Sequence, residues 1–183
     1  MKQFSCILIL ITVLAFPVKS QISIKAVSLP VGESSFSGNS PSTTGFFLDP
    51  SVDISAPAIS NLTIRAHAMI MKDFNAISPP ANSNSYFATL YGFGIEMVDT
   101  QPFTSAITME YGGGALMLKD KTYSDINSWS YGIDVTAGLR VNVYKTPTGG
   151  LFLGIGGGYG QTFSNTNPSY FALYGLVRYS FSE

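Results

Sequence analysis

Residues 131–144 alternate apolar and polar side chains over fourteen positions without interruption. Because successive side chains of a strand point to opposite faces, this pattern predicts one long strand between an apolar and a polar environment. Strands of globular proteins are usually about five or six residues long, whereas a membrane-crossing strand needs roughly nine to eleven. The apolar face comprises Tyr131, Ile133, Val135, Ala137, Leu139, Val141 and Val143. The length of this strand favours a membrane-spanning β-barrel.

The start of the chain has the layout of an export signal. A positively charged start is followed by an apolar run over residues 4–16, and small residues follow at the positions that a signal peptidase reads. We expect cleavage before Gln21. An N-terminal membrane anchor is the alternative, but the run is short for a span of about 20 residues. The expected organisation is a signal peptide over residues 1–20 and one transmembrane β-barrel domain over residues 21–183.

The composition excludes several classes of protein. Without Lys2 and Lys19 of the expected signal, ten basic residues become eight against eleven acidic ones, a net charge near −3. A nucleic-acid-binding domain would need a basic stripe, so we expect no nucleic acid among the partners. Charged residues make up 11% of the chain, less than half of the roughly 25% found in soluble domains. A soluble exterior would need more charge, and the shortage favours apolar surroundings.

Similar alternating segments recur along the chain and predict the strands of the barrel. The clear segments are residues 61–72, 86–97, 104–118, 128–144, 151–161 and 169–181. Two weaker segments, residues 22–29 and 44–55, bring the count to eight, an even number that places both termini at one end. Residues 30–43 between them are rich in serine, glycine and proline and predict a loop.

The connectors alternate in length. Those predicted at residues 98–103 and 146–149 are short, whereas those at residues 73–85 and 119–127 are long. Transmembrane barrels have short periplasmic turns and longer outer loops. If the last strand ends in the periplasm, the short connectors lie on the periplasmic side and the long ones outside.

Alternation alone does not show whether the apolar face points outward to lipid or inward to a core, as in a lipocalin-like barrel or a β-sandwich. The second face lacks the lysines, glutamates and threonines of a solvated surface and instead carries Gly92, Gly94, Gly112, Gly114, Gly154, Gly156, Gly158, Gly160, Tyr86, Tyr170 and Tyr174. Its charges nearly balance and comprise Arg65, Arg140, Arg178, Glu96, Glu110 and Asp134. Because an unpaired buried charge is costly, we predict that these six form ion pairs inside the lumen and that the apolar face points outward.

The final strand is the most specific part of the pattern. Residues 170–181 read Tyr-Phe-Ala-Leu-Tyr-Gly-Leu-Val-Arg-Tyr-Ser-Phe, which is similar to the C-terminal signal read by the barrel-assembly machinery. Over residues 21–183 the chain resembles the small eight-stranded outer-membrane barrels of the outer-membrane protein A and X type. The resemblance implies an all-β fold, an eight-stranded antiparallel up-and-down transmembrane β-barrel, in the cell outer membrane. It also implies outer-membrane lipid and the barrel-assembly machinery as partners, and the long loops as the place for a surface ligand.

Residues that could carry chemistry are few. His67 is the single histidine, so a serine hydrolase or acyltransferase would have to use it as general base. The chain has no Gly-x-Ser-x-Gly motif, and the simpler expectation is a luminal histidine hydrogen-bonded among Arg65 and the acidic residues. With one histidine and no cysteine beyond the expected signal, the sequence indicates no metal site and no cofactor. We therefore expect that the protein is not an enzyme.

Three functions are compatible with this architecture. The favoured one is a structural or surface-interaction protein whose outer loops meet another molecule. The alternatives are a narrow channel or solute conduit, and a soluble periplasmic ligand-binding barrel. Eight strands enclose an interior that side chains just about fill, so we expect no wide aqueous pore.

Overall fold

The computed structural model describes residues 23–39, 41–55, 62–77, 87–122 and 128–181. The strands are β1 (Ser23–Ser37), β2 (Thr43–Leu48), β3 (Ser51–Ser55), β4 (Thr63–Asp73), β5 (Thr89–Pro102), β6 (Ile107–Lys121), β7 (Ser128–Thr146), β8 (Gly149–Thr162) and β9 (Ser169–Phe181). One helical turn, α1 (Phe74–Ile77), follows β4. Within these residues no helix has the length and apolar character needed to span a membrane. The signal peptide expected over residues 1–20 and its cleavage before Gln21 lie outside the described residues and stay predictions.

The sheet closes on itself. All strand pairs are antiparallel, and β1 pairs with β9, so the first and last strands complete a barrel. β2 and β3 share one position in the wall, between β1 and β4. β2 pairs with the second half of β1 and the end of β4. β3 pairs with the first half of β1 and the start of β4. Nine strands therefore fill eight positions, and the predicted eight-stranded antiparallel up-and-down barrel is confirmed.

The break between β2 and β3 lies at Asp49 and Pro50. Proline has no backbone N–H and cannot complete a sheet ladder. The wall stays bonded there, because Asp49 N donates to the Pro30 carbonyl at 3.1 Å and Ala68 N donates to the Pro50 carbonyl at 3.0 Å. The Asp49 side chain is buried rather than exposed on the outer wall.

Two strand ends differ from the prediction. The loop expected at residues 30–43 is wrong, because β1 continues to Ser37. Pro30 fits inside β1 because it lies opposite the break between β2 and β3, where no ladder hydrogen bond from its nitrogen is needed. The short connector expected at residues 98–103 is also wrong, since β5 continues to Pro102 and the turn occupies residues 103–106.

The two ends of the barrel differ. The first residue of β1, the last residue of β9 and the turns at residues 103–106 and 147–148 lie at one end, here named the short-turn end. β1, β4, β6 and β8 end at the other, here named the long-loop end. Along β4, the inward residues Arg65, His67 and Met69 therefore follow one another from the short-turn end toward the long-loop end.

Apolar side chains cover the outer wall. Ile133, Leu153 and Leu173 are 54%, 44% and 59% exposed, which confirms the predicted outward direction of the apolar face. Further exposed side chains of the wall are Val27, Leu29, Phe93, Ile95, Met97, Val135, Ile155, Phe171 and Val177. Soluble monomers rarely expose contiguous apolar surface of this kind, whereas a barrel in lipid requires it.

The lumen near the long-loop end is apolar. This apolar layer comprises Phe36, Phe47, Met69, Met71, Ala88, Leu90, Leu116, Leu118, Tyr170 and Ala172, with Tyr174 packed against it. Phe47 stacks on Tyr170 and Tyr174, with ring centroids 6.2 and 5.7 Å apart. Most charged residues of the inner face lie in its other half, and Asp120 near the long-loop end is an exception.

Candidate functional site

The six predicted luminal residues all face inward. Arg65 lies on β4, Glu96 on β5, Glu110 on β6, Asp134 and Arg140 on β7, and Arg178 on β9. Each is at most 9% exposed. Strand alternation accounts for their direction, because the neighbouring residues on each strand are the apolar ones of the outer wall. The structure divides the six between two adjoining clusters.

Glu110 lies at the centre of the first cluster. Its Oε1 accepts a hydrogen bond from Arg65 Nη2 at 2.5 Å. Its Oε2 accepts one from Arg140 Nη1 and one from Arg178 Nη1, the latter at 3.4 Å. Since the three arginines come from β4, β7 and β9, one carboxylate connects strands on different sides of the barrel.

Asp53 completes this cluster and was not anticipated from the sequence. Its Oδ1 accepts a hydrogen bond from Arg65 Nε at 2.7 Å, and its Oδ2 lies 2.6 Å from Arg178 Nη1. Asp53 is 1% exposed and stands opposite Arg65 in the pairing of β3 with β4. The arginine layer, as we name it, consists of Asp53, Arg65, Glu110, Arg140 and Arg178.

The second cluster surrounds His67, midway between the arginine layer and the apolar layer. His67 Nδ1 lies 3.0 and 3.2 Å from the two carboxylate oxygens of Asp49. His67 Nε2 lies 3.0 Å from Asp134 Oδ2, but without hydrogen-bond geometry. We name this set, together with Glu96, the histidine cluster: Asp49, His67, Glu96 and Asp134.

Glu96 and Asp134 belong to this cluster more than to the arginine layer. Glu96 Oε2 accepts a hydrogen bond from Thr136 Oγ1 at 3.2 Å and lies 3.8 Å from Arg65 Nη1. In the described part of the chain, Asp134 forms its one ion pair with His67 rather than with an arginine. Of the six predicted residues, the structure thus joins Arg65, Glu110, Arg140 and Arg178 directly and sets the other two beside His67.

The His67 ring packs directly on the backbone of β5. His67 pairs with Gly94 across β4 and β5, and a Cβ added at Gly94 would fall 1.8 Å from His67 Nε2. Position 94 therefore has to be glycine for the ring to lie where it does. The absence of a side chain at Gly94 gives the His67 ring its place against β5.

The arrangement does not resemble a hydrolytic triad. Asp49 orients His67 as the acid of such a triad would, but Nε2, the nitrogen that would activate a serine, faces Asp134. One cavity beside the arginine layer has a volume of about 20 Å³ and is lined by residues that include Ser28, Arg65 and Glu110. A cavity of that size holds about one water molecule. The lumen is therefore packed around Glu110, whereas a wider cavity of about 660 Å³, lined by residues that include Arg140 and Arg178, opens at the short-turn end.

Comparison with known proteins gives a match of structure and none of sequence. No protein-family model matches the sequence, and no curated protein matches it. The structure is similar to Neisserial surface protein A (NspA), with a TM-score of 0.65 and 19% identity over 84% of this chain and 94% of that one. The chain has the fold of the small outer-membrane β-barrels. This agrees with the resemblance seen in the final strand.

A second similar structure is Ail, the attachment invasion locus protein of Yersinia pestis, in complex with the heparin analogue sucrose octasulfate. The TM-score is 0.51 and the identity 10%, over 85% of this chain and 97% of that one. At such identities the likeness to both proteins is a likeness of fold.

Proposed function

We propose that the chain is a sealed β-barrel of the cell outer membrane with a structural or surface-interaction role at its long-loop end. The observation that carries this proposal is the combination of an apolar outer wall with a filled, charged lumen. An apolar wall of this extent needs hydrocarbon around it, and a closed barrel satisfies every wall hydrogen bond within the sheet. Outer-membrane lipid is then the first partner, and β9 is the strand that the barrel-assembly machinery would read.

The lumen supports a sealed barrel over a channel. A solute would have to pass the apolar layer, where Phe47 stacks on two tyrosines, and then the arginine layer, where Glu110 holds three guanidinium groups. The narrow channel and the solute conduit are for this reason the weaker alternatives.

The outer wall near the long-loop end supports a surface interaction with an anionic partner. Lys72 on β4 and Lys121 on β6 both pair with Thr89 of β5, which lies between them. Their Cα atoms are therefore two strand spacings, about 10 Å, apart. Lys119 lies on the same strand as Lys121. The Lys119 ammonium is 5.5 Å from the centre of the Trp129 ring, and the Lys121 ammonium is 5.7 Å from the centre of the Tyr91 ring. We name Lys72, Lys119 and Lys121 the lysine rim. The complex of Ail with a polysulfated sugar suggests the class of ligand to test.

Membrane fractionation and a conductance measurement test the barrel itself. We expect the protein to stay with the outer membrane after carbonate washing, to migrate faster unheated than boiled on a detergent gel, and to give no conductance steps in planar bilayers. Release into the soluble fraction would contradict the membrane assignment and favour the soluble periplasmic barrel. Regular single-channel steps would contradict the sealed lumen.

A binding titration tests the lysine rim. Sucrose octasulfate is titrated into the refolded barrel in nanodiscs, and the signal is the emission of Trp129, the single tryptophan. We expect saturable binding that weakens at least about tenfold in Lys72→Gln/Lys119→Gln/Lys121→Gln, since each lost charge contact is worth about 1 kcal/mol at a surface. Lys145→Gln, at the short-turn end, is the matched control. Equal binding by both variants would remove the lysine rim from the proposal.

A further inference from the structure

The geometry points to a binding site for a divalent transition-metal ion inside the lumen, formed by His67, Glu96 and Asp134. One ligand atom from each of these residues lies within 4.8 Å of the other two. An imidazole nitrogen with two carboxylate oxygens is a donor set that zinc and neighbouring divalent metals accept. The site goes beyond a structural or surface role and contradicts the sequence-based expectation of no metal.

The spacing suits a first-row metal. Ligands arranged tetrahedrally at about 2.0–2.1 Å from a zinc ion stand about 3.3–3.4 Å from one another. His67 Nε2 and Asp134 Oδ2 are 3.0 Å apart, and the full set lies within 4.8 Å. Rotations of the two carboxylates about their side-chain bonds would reach that spacing.

The donor atoms are buried and have no hydrogen-bond partner, although His67 Nε2 and Asp134 Oδ2 lie 3.0 Å apart. His67, Glu96 and Asp134 are 5%, 1% and 2% exposed. His67 Nε2, Glu96 Oε1 and both carboxylate oxygens of Asp134 have no hydrogen-bond partner among the described residues. Buried polar atoms are almost always satisfied, because leaving one unsatisfied costs about 1–3 kcal/mol. Unsatisfied atoms on three residues whose ligand atoms lie within 4.8 Å of one another indicate a cation that they share.

The environment of His67 is that of a metal-ligating imidazole. Metal-bound histidines almost always contact a carboxylate or carbonyl with the other ring nitrogen, which fixes the ring and its tautomer. Asp49 holds this position, with its Oδ1 3.0 Å from His67 Nδ1. The contact leaves Nε2 available as a metal ligand, and Nε2 is the atom that faces Asp134, at 3.0 Å from its Oδ2.

The charges of the cluster call for a cation. Asp49, Glu96 and Asp134 bring three carboxylates around one imidazole, and the one arginine near them is Arg65, 3.8 Å from Glu96. Buried carboxylates that outnumber the cations beside them are costly. A divalent cation would balance them, whereas a protonated His67 alone would balance one.

The site exists only in the closed barrel. Its ligands lie on β4, β5 and β7, and the apolar layer and the arginine layer enclose it on either side. We therefore expect the ion to enter while the barrel folds and to exchange slowly afterwards. Metal should be supplied during refolding rather than added to the folded protein.

Refolding with and without metal tests the site. The untagged mature chain is refolded into detergent with zinc, freed of loose ions with a chelator, and analysed by elemental mass spectrometry. We expect about one zinc per chain, and a visible absorption band of low-symmetry cobalt when Co²⁺ replaces zinc. Retention of no metal by the wild type would overturn the proposal and leave a protonated His67 bridging two carboxylates.

Matched variants locate the ion. His67→Gln, Glu96→Gln and Asp134→Asn should each lose the retained zinc, and Asp49→Asn should weaken it about 10–100-fold. Asp120→Asn is the control, because Asp120 is also fully buried but bonds to Asn39 and Thr122 near the long-loop end. The faster gel migration of the unheated protein verifies that each variant folds. Equal zinc in all variants would place the ion elsewhere and overturn the site, and the cobalt spectrum of the wild type tests the ligand set even if a variant does not fold.

Discussion

Glu110 of β6 and Arg178 of β9 lie 3.4 Å apart inside the barrel, although 68 residues separate them in the sequence. Their strands are not neighbours, because β7 and β8 stand between them in the sheet. The contact thus crosses the lumen, and the same carboxylate also binds Arg65 and Arg140. A single side chain connects strands that the backbone ladder does not join.

Replacing Glu110 with glutamine should destabilise the barrel. The variant leaves the side-chain volume nearly unchanged but removes the charge between three guanidinium groups. Breaking a buried ion pair from one side costs about 3–5 kcal/mol, because the remaining charges lose their counterion. The measurement is a urea titration in detergent, followed by the emission of Trp129, and we expect the midpoint to fall.

Asp99→Asn is the control for this prediction. Asp99 is a half-exposed carboxylate near the short-turn end, where its partners are Tyr111, Thr100 and Gln101. A change there should stay within about 0.5 kcal/mol of the wild type. If Glu110→Gln and Asp99→Asn shift the midpoint equally, the arginine layer contributes nothing particular to stability.

Arginine on the outer wall should impair insertion in a depth-dependent way. Ile133 and Leu153 are 54% and 44% exposed on the apolar face. Ile133→Arg and Leu153→Arg should each cost about 2–4 kcal/mol, the value for arginine near the midplane of a bilayer. Tyr144→Arg, close to the turn at residues 147–148, should cost at most about 1 kcal/mol. The readout is the folded fraction after refolding into vesicles, and equal yields for all three would contradict the assigned depths.

A side chain at position 94 should displace His67. The Cβ of Gly94→Ala would fall 1.8 Å from His67 Nε2, with the β5 backbone unable to retreat without breaking its ladder. Overpacking of this kind costs about 1–3 kcal/mol. Gly113→Ala is the matched control, since its Cβ would meet nothing closer than 3.5 Å. Urea midpoints should fall for the first variant alone, and the added replacement His67→Ala should recover part of the loss.

The strands of the barrel wall were predictable because the alternation that defines a strand lies within a few consecutive residues. The alternation over residues 131–144 reports a two-residue period, and β7 is indeed one strand that contains them. The direction of the apolar face followed from composition in the same way. Where local rules conflicted, as at Pro30, the prediction ended the strand too early, because a proline is tolerated once its neighbour strand is broken opposite it.

The clusters in the lumen were less predictable because they depend on register. Alternation placed Arg65, Glu96 and Asp134 on the inner face but could not show which of them meet. Asp53 lies on a strand of five residues, too short for a clear period, and Asp49 lies in the break before it. The expectation of no metal site was based on the number of histidines and cysteines in the sequence. The carboxylates of the histidine cluster come from three separate places in the wall, and the sequence does not show that they meet.

The apolar layer and the arginine layer should seal the lumen independently. Phe47→Ala removes the ring that stacks on Tyr170 and Tyr174, which should cost about 3–5 kcal/mol as a large-to-small change in a packed core. It should not raise conductance in planar bilayers, because Glu110 and its arginines still close the other half of the barrel. Phe47→Ala/Glu110→Gln, which loosens both layers, should give measurable current. Phe103→Ala, an exposed ring outside the lumen, controls for the loss of an aromatic group. Current through Phe47→Ala alone would mean that the arginine layer leaks, and the seal would then belong to the apolar layer.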